Sequence, residues 1–159
     1  MIRLNHVRHS ILALGVALAA ISATNVAHAG DSPYFGRWTE SEDNPKFTAK
    51  GRLYKTFDVA PCGADFCGVS VSDNGQCGPT LFRFLMAHSD GTTLLNGHGA
   101  WGNVKKALQI ETFDNDDASA KNLNVYLAND AGDFDSREGS DLIYNGQYKR
   151  TGDAKCMTN

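Results

Sequence analysis

Basic charge is in short supply in this 159-residue chain: 15 Lys and Arg face 18 Asp and Glu, a net charge of −3. Arg3 and Arg8 lie in the first 29 residues and no acid does, so the remainder carries 13 against 18, or −5. A mildly acidic domain has no electrostatic footprint for nucleic acid or anionic lipid, which excludes both as partners. Long apolar runs are also lacking. The longest, Ile11 to Ile21, has 11 residues and would reach only about 16 Å as a helix, half the hydrocarbon thickness of a bilayer. Histidine is nearly absent beyond residue 29, where only His88 and His98 occur. The chain has no G-x-S-x-G, no phosphate-cradling Gly-Lys-Ser loop and no H-E-x-x-H, so it names no catalytic centre and no cofactor.

What is present at the start has the order of an export signal. Arg3 and Arg8 precede the apolar run, and Ala27-His28-Ala29 puts small residues at the two positions that a signal peptidase reads. Cleavage is expected before Gly30, giving a signal peptide over 1–29 and one domain over 30–159. About 130 residues are enough for one core without help from a metal. The expected location is periplasmic or secreted, with no membrane insertion after cleavage.

All four cysteines, Cys62, Cys67, Cys77 and Cys156, follow the cut. An even count in an oxidising compartment reads as two disulfides, with three connectivities open. Cys62 and Cys67 flank a short turn and could face each other across a hairpin; that choice leaves Cys77 with Cys156. A zinc or redox site is disfavoured because the C-x4-C-x9-C spacing has no nearby histidine and no C-x-x-C.

Period-two alternation dominates the rest, and no amphipathic helical stretch of useful length occurs. Strands are expected over 35–40, 53–59, 66–71, 81–88, 92–101, 108–112, 123–127 and 142–150. Asp90-Gly91 reads as a hairpin turn, and the glycines at 91, 97 and 99 suggest a bulged or bent strand. The stretches 41–51 and 129–141 read as long loops. About eight strands, each with an apolar and a polar face, predict an all-β fold: a single antiparallel up-and-down barrel, with a two-sheet sandwich as the alternative.

Gly36-x-Trp38 at the start of the first strand, with Arg150 on the inward phase of the last, resembles the closure of calycin barrels. In those barrels the arginine lies over the tryptophan ring. Phe35-Gly36-Arg37-Trp38-Thr39, followed by Pro61-Cys62-Gly63 and Phe66-Cys67-Gly68-Val69, resembles the small exported proteins grouped as domain of unknown function 2147. Tyr148-Lys149-Arg150 departs from that pattern, where tryptophan tends to precede the arginine, and Cys77 and Cys156 fall outside it. The resemblance implies a calycin-like barrel with Trp38 and Arg150 in structural roles, and no activity.

Three features compete as functional sites. The acids Asp114, Asp116 and Asp117, and those from Asp130 to Asp141, could hold Ca2+, but they lack the glycine and terminal glutamate of a calcium loop and read as solvated turns. His88 or His98 with a loop carboxylate would be the basis of an enzyme of unrecognised type, although no motif supplies a nucleophile or an orienting partner. Aromatic residues concentrate in the strands, and either fill the barrel or line a ligand pocket. Filling is the expectation for so many large rings. Ligand contacts are expected from Trp38, Trp101, His98, Tyr126 and Tyr144. The preferred reading is a non-enzymatic binding module for a small ligand or an envelope protein. The alternative is a periplasmic protease inhibitor that inserts residues 30–34.

Overall fold

The computed structural model describes residues 32–41, 49–86, 94–114, 121–136 and 141–158. Eight strands make one closed antiparallel barrel in which each pairs with its neighbours in sequence and the last returns to the first. They are β1 (Gly36–Glu40), β2 (Thr56–Cys62), β3 (Asp65–Val71), β4 (Cys77–Phe84), β5 (Leu94–Trp101), β6 (Val104–Asp114), β7 (Lys121–Ala128) and β8 (Leu142–Gly152). A four-residue helix α1 (Ala49–Arg52) follows β1, and a 3-10 helix (Ala131–Ser136) precedes β8. The up-and-down barrel therefore replaces the two-sheet alternative. Closure gives every strand a neighbour on both sides, which limits the edge open to pairing with another chain. The signal-like segment, His88 and the Asp90-Gly91 turn lie outside the described residues.

Register explains which side chains fill the centre. Trp38 stands opposite Phe57 on β2 and Arg150 on β8. Leu108, Ile110, Leu123, Val125 and Leu127 alternate inward along β6 and β7. Trp38, Phe57, Phe84, Leu127 and Tyr148 are wholly buried, each contributing on the order of 2 kcal/mol or more by leaving water. Of the register shifts in the described strands, two change which side chains reach the centre. Between Gly68/Val69 and Phe82/Thr80 the register slips by one, so the consecutive residues Leu81 and Phe82 both join the core. A slip between Leu127 and Ala128 turns Leu142 away from the centre and leaves Ile143 packed against it.

The glycines of β5 act differently from the expected bulge. Pairing with β6 is unbroken from Leu94↔Glu111 to Trp101↔Val104. Instead, a Cβ on Gly97 would lie 2.1 Å from the Arg83 carbonyl, and one on Gly99 would lie 2.4 Å from the Leu127 side chain. Bare backbone is needed there because neighbouring atoms already occupy the volume. Gly68 does the same for the Phe82 ring, 2.0 Å from where its Cβ would be.

Strand β2 begins later than its sequence pattern suggests. Helix α1 and the following turn take up 49–55, so Tyr54 enters the core while Leu53 is exposed, the reverse of simple alternation. Strand β4 likewise starts earlier, at Cys77, and ends at Phe84.

The end of the chain is fastened to the outside of β2 and β3. Disulfides join Cys62 to Cys67 across the β2–β3 hairpin and Cys77 to Cys156 over a separation of 79 residues. Asp58, wholly buried on the outer face, receives Arg37 through Nε (2.7 Å) and Nη2 (2.9 Å). Its Oδ2 also accepts the Lys155 and Cys156 amides at 2.7 and 2.8 Å. Burial alone would raise the Asp58 pKa; the Arg37 hydrogen bonds and the two amides outweigh it and hold the carboxyl below its ordinary value. The tail thus covers Val69 and Val71, which cluster with Cys156. Two disulfides of this kind are typical of a non-cytoplasmic protein.

Candidate functional site

The barrel has two differently finished ends. At the end where β1 starts, Trp38 Nε1 donates to the Tyr34 carbonyl (2.9 Å), and the Tyr34 ring meets Phe84 with centroids 6.0 Å apart. Phe35 packs edge-on to Phe66 at 4.6 Å. Burial raises the pKa of the Tyr34 phenol. Tyr34 is therefore part of the plug at this end; Gly30 and Asp31 of the segment expected to insert in an inhibitor lie outside the described residues. Arg150 turns its guanidinium to Asp153 (3.2 Å), and a Cβ on Gly36 would lie 2.5 Å from its Nε. Its backbone faces Trp38 across the closing pair of strands.

The opposite end is filled by three rings: Tyr54 lies 5.7 Å from Trp101 and 5.3 Å from Tyr144, which in turn lie 5.8 Å apart. Below them runs a chain of hydroxyls. Tyr144 bonds Glu40 (3.1 Å) and Tyr148, and the Tyr148 hydroxyl donates to the Tyr54 carbonyl (2.6 Å). The Tyr54 hydroxyl reaches the carbonyls of Ala100 (2.7 Å) and Leu81 (3.3 Å). Pairing of β4 with β5 is confined to Phe82↔Gly99, Arg83↔His98 and Phe84↔Gly97, so this phenol bridges the two strands just beyond their last rung. Burial pushes Tyr148 well above the ordinary tyrosine value, with Tyr144 and Glu40 adding to the shift, and burial likewise raises Tyr54. Both phenols therefore remain neutral hydrogen-bond donors at physiological pH, which suits structural bridging.

With the interior packed, the concavities bordered by described residues lie outside the aromatic centre, and one of them, with a largely apolar border, is on the side wall. There the 3-10 helix lies over the outer face of β6 and β7, where Phe134 packs with Tyr126 and Ala128. Beside it is a recess of about 290 Å³ bordered by Leu85, Asn96, His98, Ala107, Ala131 and Phe134. The helix is locked by its own acids: Asp133 Oδ2 accepts the Asp130 amide (3.1 Å), and Asp130 Oδ1 accepts the Gly132 amide (3.2 Å). These carboxylates cap a turn. Among the described residues no group of three or more His, Cys, Asp or Glu is placed to hold a metal ion.

The five expected ligand residues do not form one site. Trp38 belongs to the closed end, Trp101 and Tyr144 to the opposite plug, and His98 and Tyr126 to the outer wall near the recess. Leu85, Asn96, Ala107 and Phe134 were outside the sequence expectation. Alternation alone would have placed Asn96 and Ala107 beside His98 on the outer phase, but the cover over them comes from a stretch without strand periodicity.

Fold and covalent structure define a disulfide-bonded, closed eight-stranded antiparallel barrel with a packed interior. Comparison with known protein families, with curated proteins and with solved structures finds no match to this chain. No helix among the described residues is long and apolar enough to cross a membrane.

Proposed function

We propose that this chain is an exported binding module of the calycin-like kind grouped as domain of unknown function 2147. In this reading it performs no chemistry and takes a small ligand in the side-wall recess. The observation that carries the reading is the contrast between a barrel centre occupied by aromatic rings and a recess of about 290 Å³ outside it. That volume is at the lower end for small-molecule sites, and its border combines apolar side chains with a few polar groups, the usual composition of such sites. Export is supported by the basic, apolar, A-x-A order of residues 1–29 and by two disulfides with no free cysteine among the described residues.

Two measurements test this. N-terminal sequencing of protein recovered from outside the cytoplasm should begin at Gly30; a chain retained in the cytoplasm with four alkylatable thiols contradicts export. Native mass spectrometry of gently purified protein should reveal a bound small molecule whose addition back shifts the NMR signals of Asn96, His98 and Ala107. Shifts confined to the Trp101 and Tyr144 end would move the site, and repeated recovery of empty protein from its native host would remove the ligand-binding reading.

A further inference from the structure

The two disulfides sit in different surroundings. Cys77–Cys156 is poorly placed to open. Cys156 is 1% exposed and packs with Val69 and Val71, and its amide bonds the Asp58 carboxylate at 2.8 Å. A thiolate left there would lose its hydration among apolar side chains, with a carboxylate bonded to the same residue. Cys62–Cys67 lies on the outer face of the β2–β3 hairpin, and both cysteines border one concavity of about 440 Å³. Cys62 is half-buried and Cys67 is 6% exposed, so an incoming group meets Cys62 first. Arg83 stands opposite Cys67 in register and borders the same concavity, together with Thr80 and Thr158. Asp65 accepts the Arg83 Nε at 2.8 Å, which takes one of the five N–H groups of a guanidinium. The hairpin is held independently of its bridge: Ala60↔Cys67, Pro61↔Phe66 and Cys62↔Asp65 pair across it, and Phe66 packs on Phe35.

We propose that Cys62–Cys67 is a thiol–disulfide exchange site for small thiols that carry a carboxylate, the class to which glutathione belongs. The thiolate of the small molecule attacks Cys62 Sγ and forms a new S–S bond there. The Cys62–Cys67 bond breaks, and its electron pair leaves on Cys67 Sγ, which takes a proton from water. A second small thiolate then attacks the small molecule's own sulfur in the mixed disulfide, freeing Cys62 as a thiolate and departing as the oxidised dimer. Two small thiols thus lose two electrons and one protein disulfide gains them. Arg83 places a positive charge on the side where the Cys67 thiolate emerges and offers its remaining N–H groups to the carboxylate. Strand pairing keeps both oxidation states in one fold, as a reversible exchange requires. The exchange is stoichiometric in the protein and independent of the side-wall recess.

The test incubates the intact oxidised protein under native conditions with excess glutathione or with cysteamine, a thiol of opposite charge, at equal thiolate concentrations. Samples are alkylated at intervals and mapped by mass spectrometry. Glutathione is expected on Cys62 with Cys67 alkylated, about tenfold faster than any opening of Cys77–Cys156, faster than cysteamine, and with the circular dichroism of the fold unchanged. Arg83→Gln should cut the ratio of glutathione to cysteamine rates about threefold, and Arg83→Lys should retain most of it. Opening of Cys77–Cys156 first or at the same rate, adducts only after the fold is lost, or no opening of either bridge overturns the exchange site. A glutathione rate no higher than that of cysteamine, or a ratio untouched by Arg83→Gln, overturns the preference for a carboxylate.

Discussion

Removing the Cys77–Cys156 bridge should weaken the protein far more than removing Cys62–Cys67, although both are single covalent links near the same two strands. The chain-entropy argument depends on the loop each bridge closes in the unfolded chain. With separations of 79 and 5 residues, it gives about 4.5 kcal/mol for the long loop and about 2 kcal/mol for the short one at 25 °C. Replacing Cys156 by alanine leaves a small apolar side chain against Val69 and Val71, so packing adds little to the difference. The Asp58 bonds to the Lys155 and Cys156 amides persist in the double variant, which keeps the native end point comparable. Urea unfolding at equilibrium, read from midpoint and slope, should therefore place Cys77→Ala/Cys156→Ala about 2.5 kcal/mol below Cys62→Ala/Cys67→Ala. Equal losses, or a larger loss for the short bridge, would refute the reasoning.

Asp58 provides a second probe of the same fastening. Its folded-state pKa is lowered, so its contribution is complete above the unfolded carboxylate value near 3.8 and disappears as pH falls through the folded value. Asp58→Asn should cost about 3 kcal/mol at pH 7 by removing the buried charge that half-buried Arg37 pairs with, and should flatten the acid limb of a stability-against-pH curve; an unaltered acid limb contradicts the assignment. Tyr54→Phe removes the donor shared by the Ala100 and Leu81 carbonyls and should cost about 1–3 kcal/mol in denaturant unfolding, with a loss under about 0.5 kcal/mol counting against the strand-bridging role. Gly68→Ala drives a methyl into the Phe82 ring and should cost about 1–3 kcal/mol. Adding Phe82→Leu should restore part of that loss, and strictly additive losses would mean the two positions do not compete for space.

Strand number and the inward phase were legible in the sequence wherever both faces of a strand differ in polarity, as in Leu123-Asn124-Val125-Tyr126-Leu127. Alternation failed at particular places for particular reasons. Simple alternation over 53–59 puts Tyr54 on the polar face with Thr56 and Asp58, because the α1 turn that resets its direction has no periodic signature in four residues. Simple alternation over 142–150 puts Leu142 on the face of Tyr144, because a bulge leaves no mark on composition. The aromatic residues expected to touch ligand were correctly read as large and strand-borne, but distribution between two ends and an outer wall depends on register, which only long-range pairing determines. The recess was invisible for a similar reason: its roof is the 3-10 helix within a Gly- and Asp-rich stretch that reads as loop.

The closing contact between the first and last strands, on which the barrel depends, can be measured in one NOE spectrum of the isotope-labelled, oxidised protein. Backbone cross-peaks are expected between Trp38 and Arg150 and between Glu40 and Tyr148, together with cross-peaks from the Trp38 ring to Phe57, its neighbour in register on β2. A spectrum in which β1 has cross-peaks to β2 but none to β8 would describe an open sheet and contradict the closed, filled barrel.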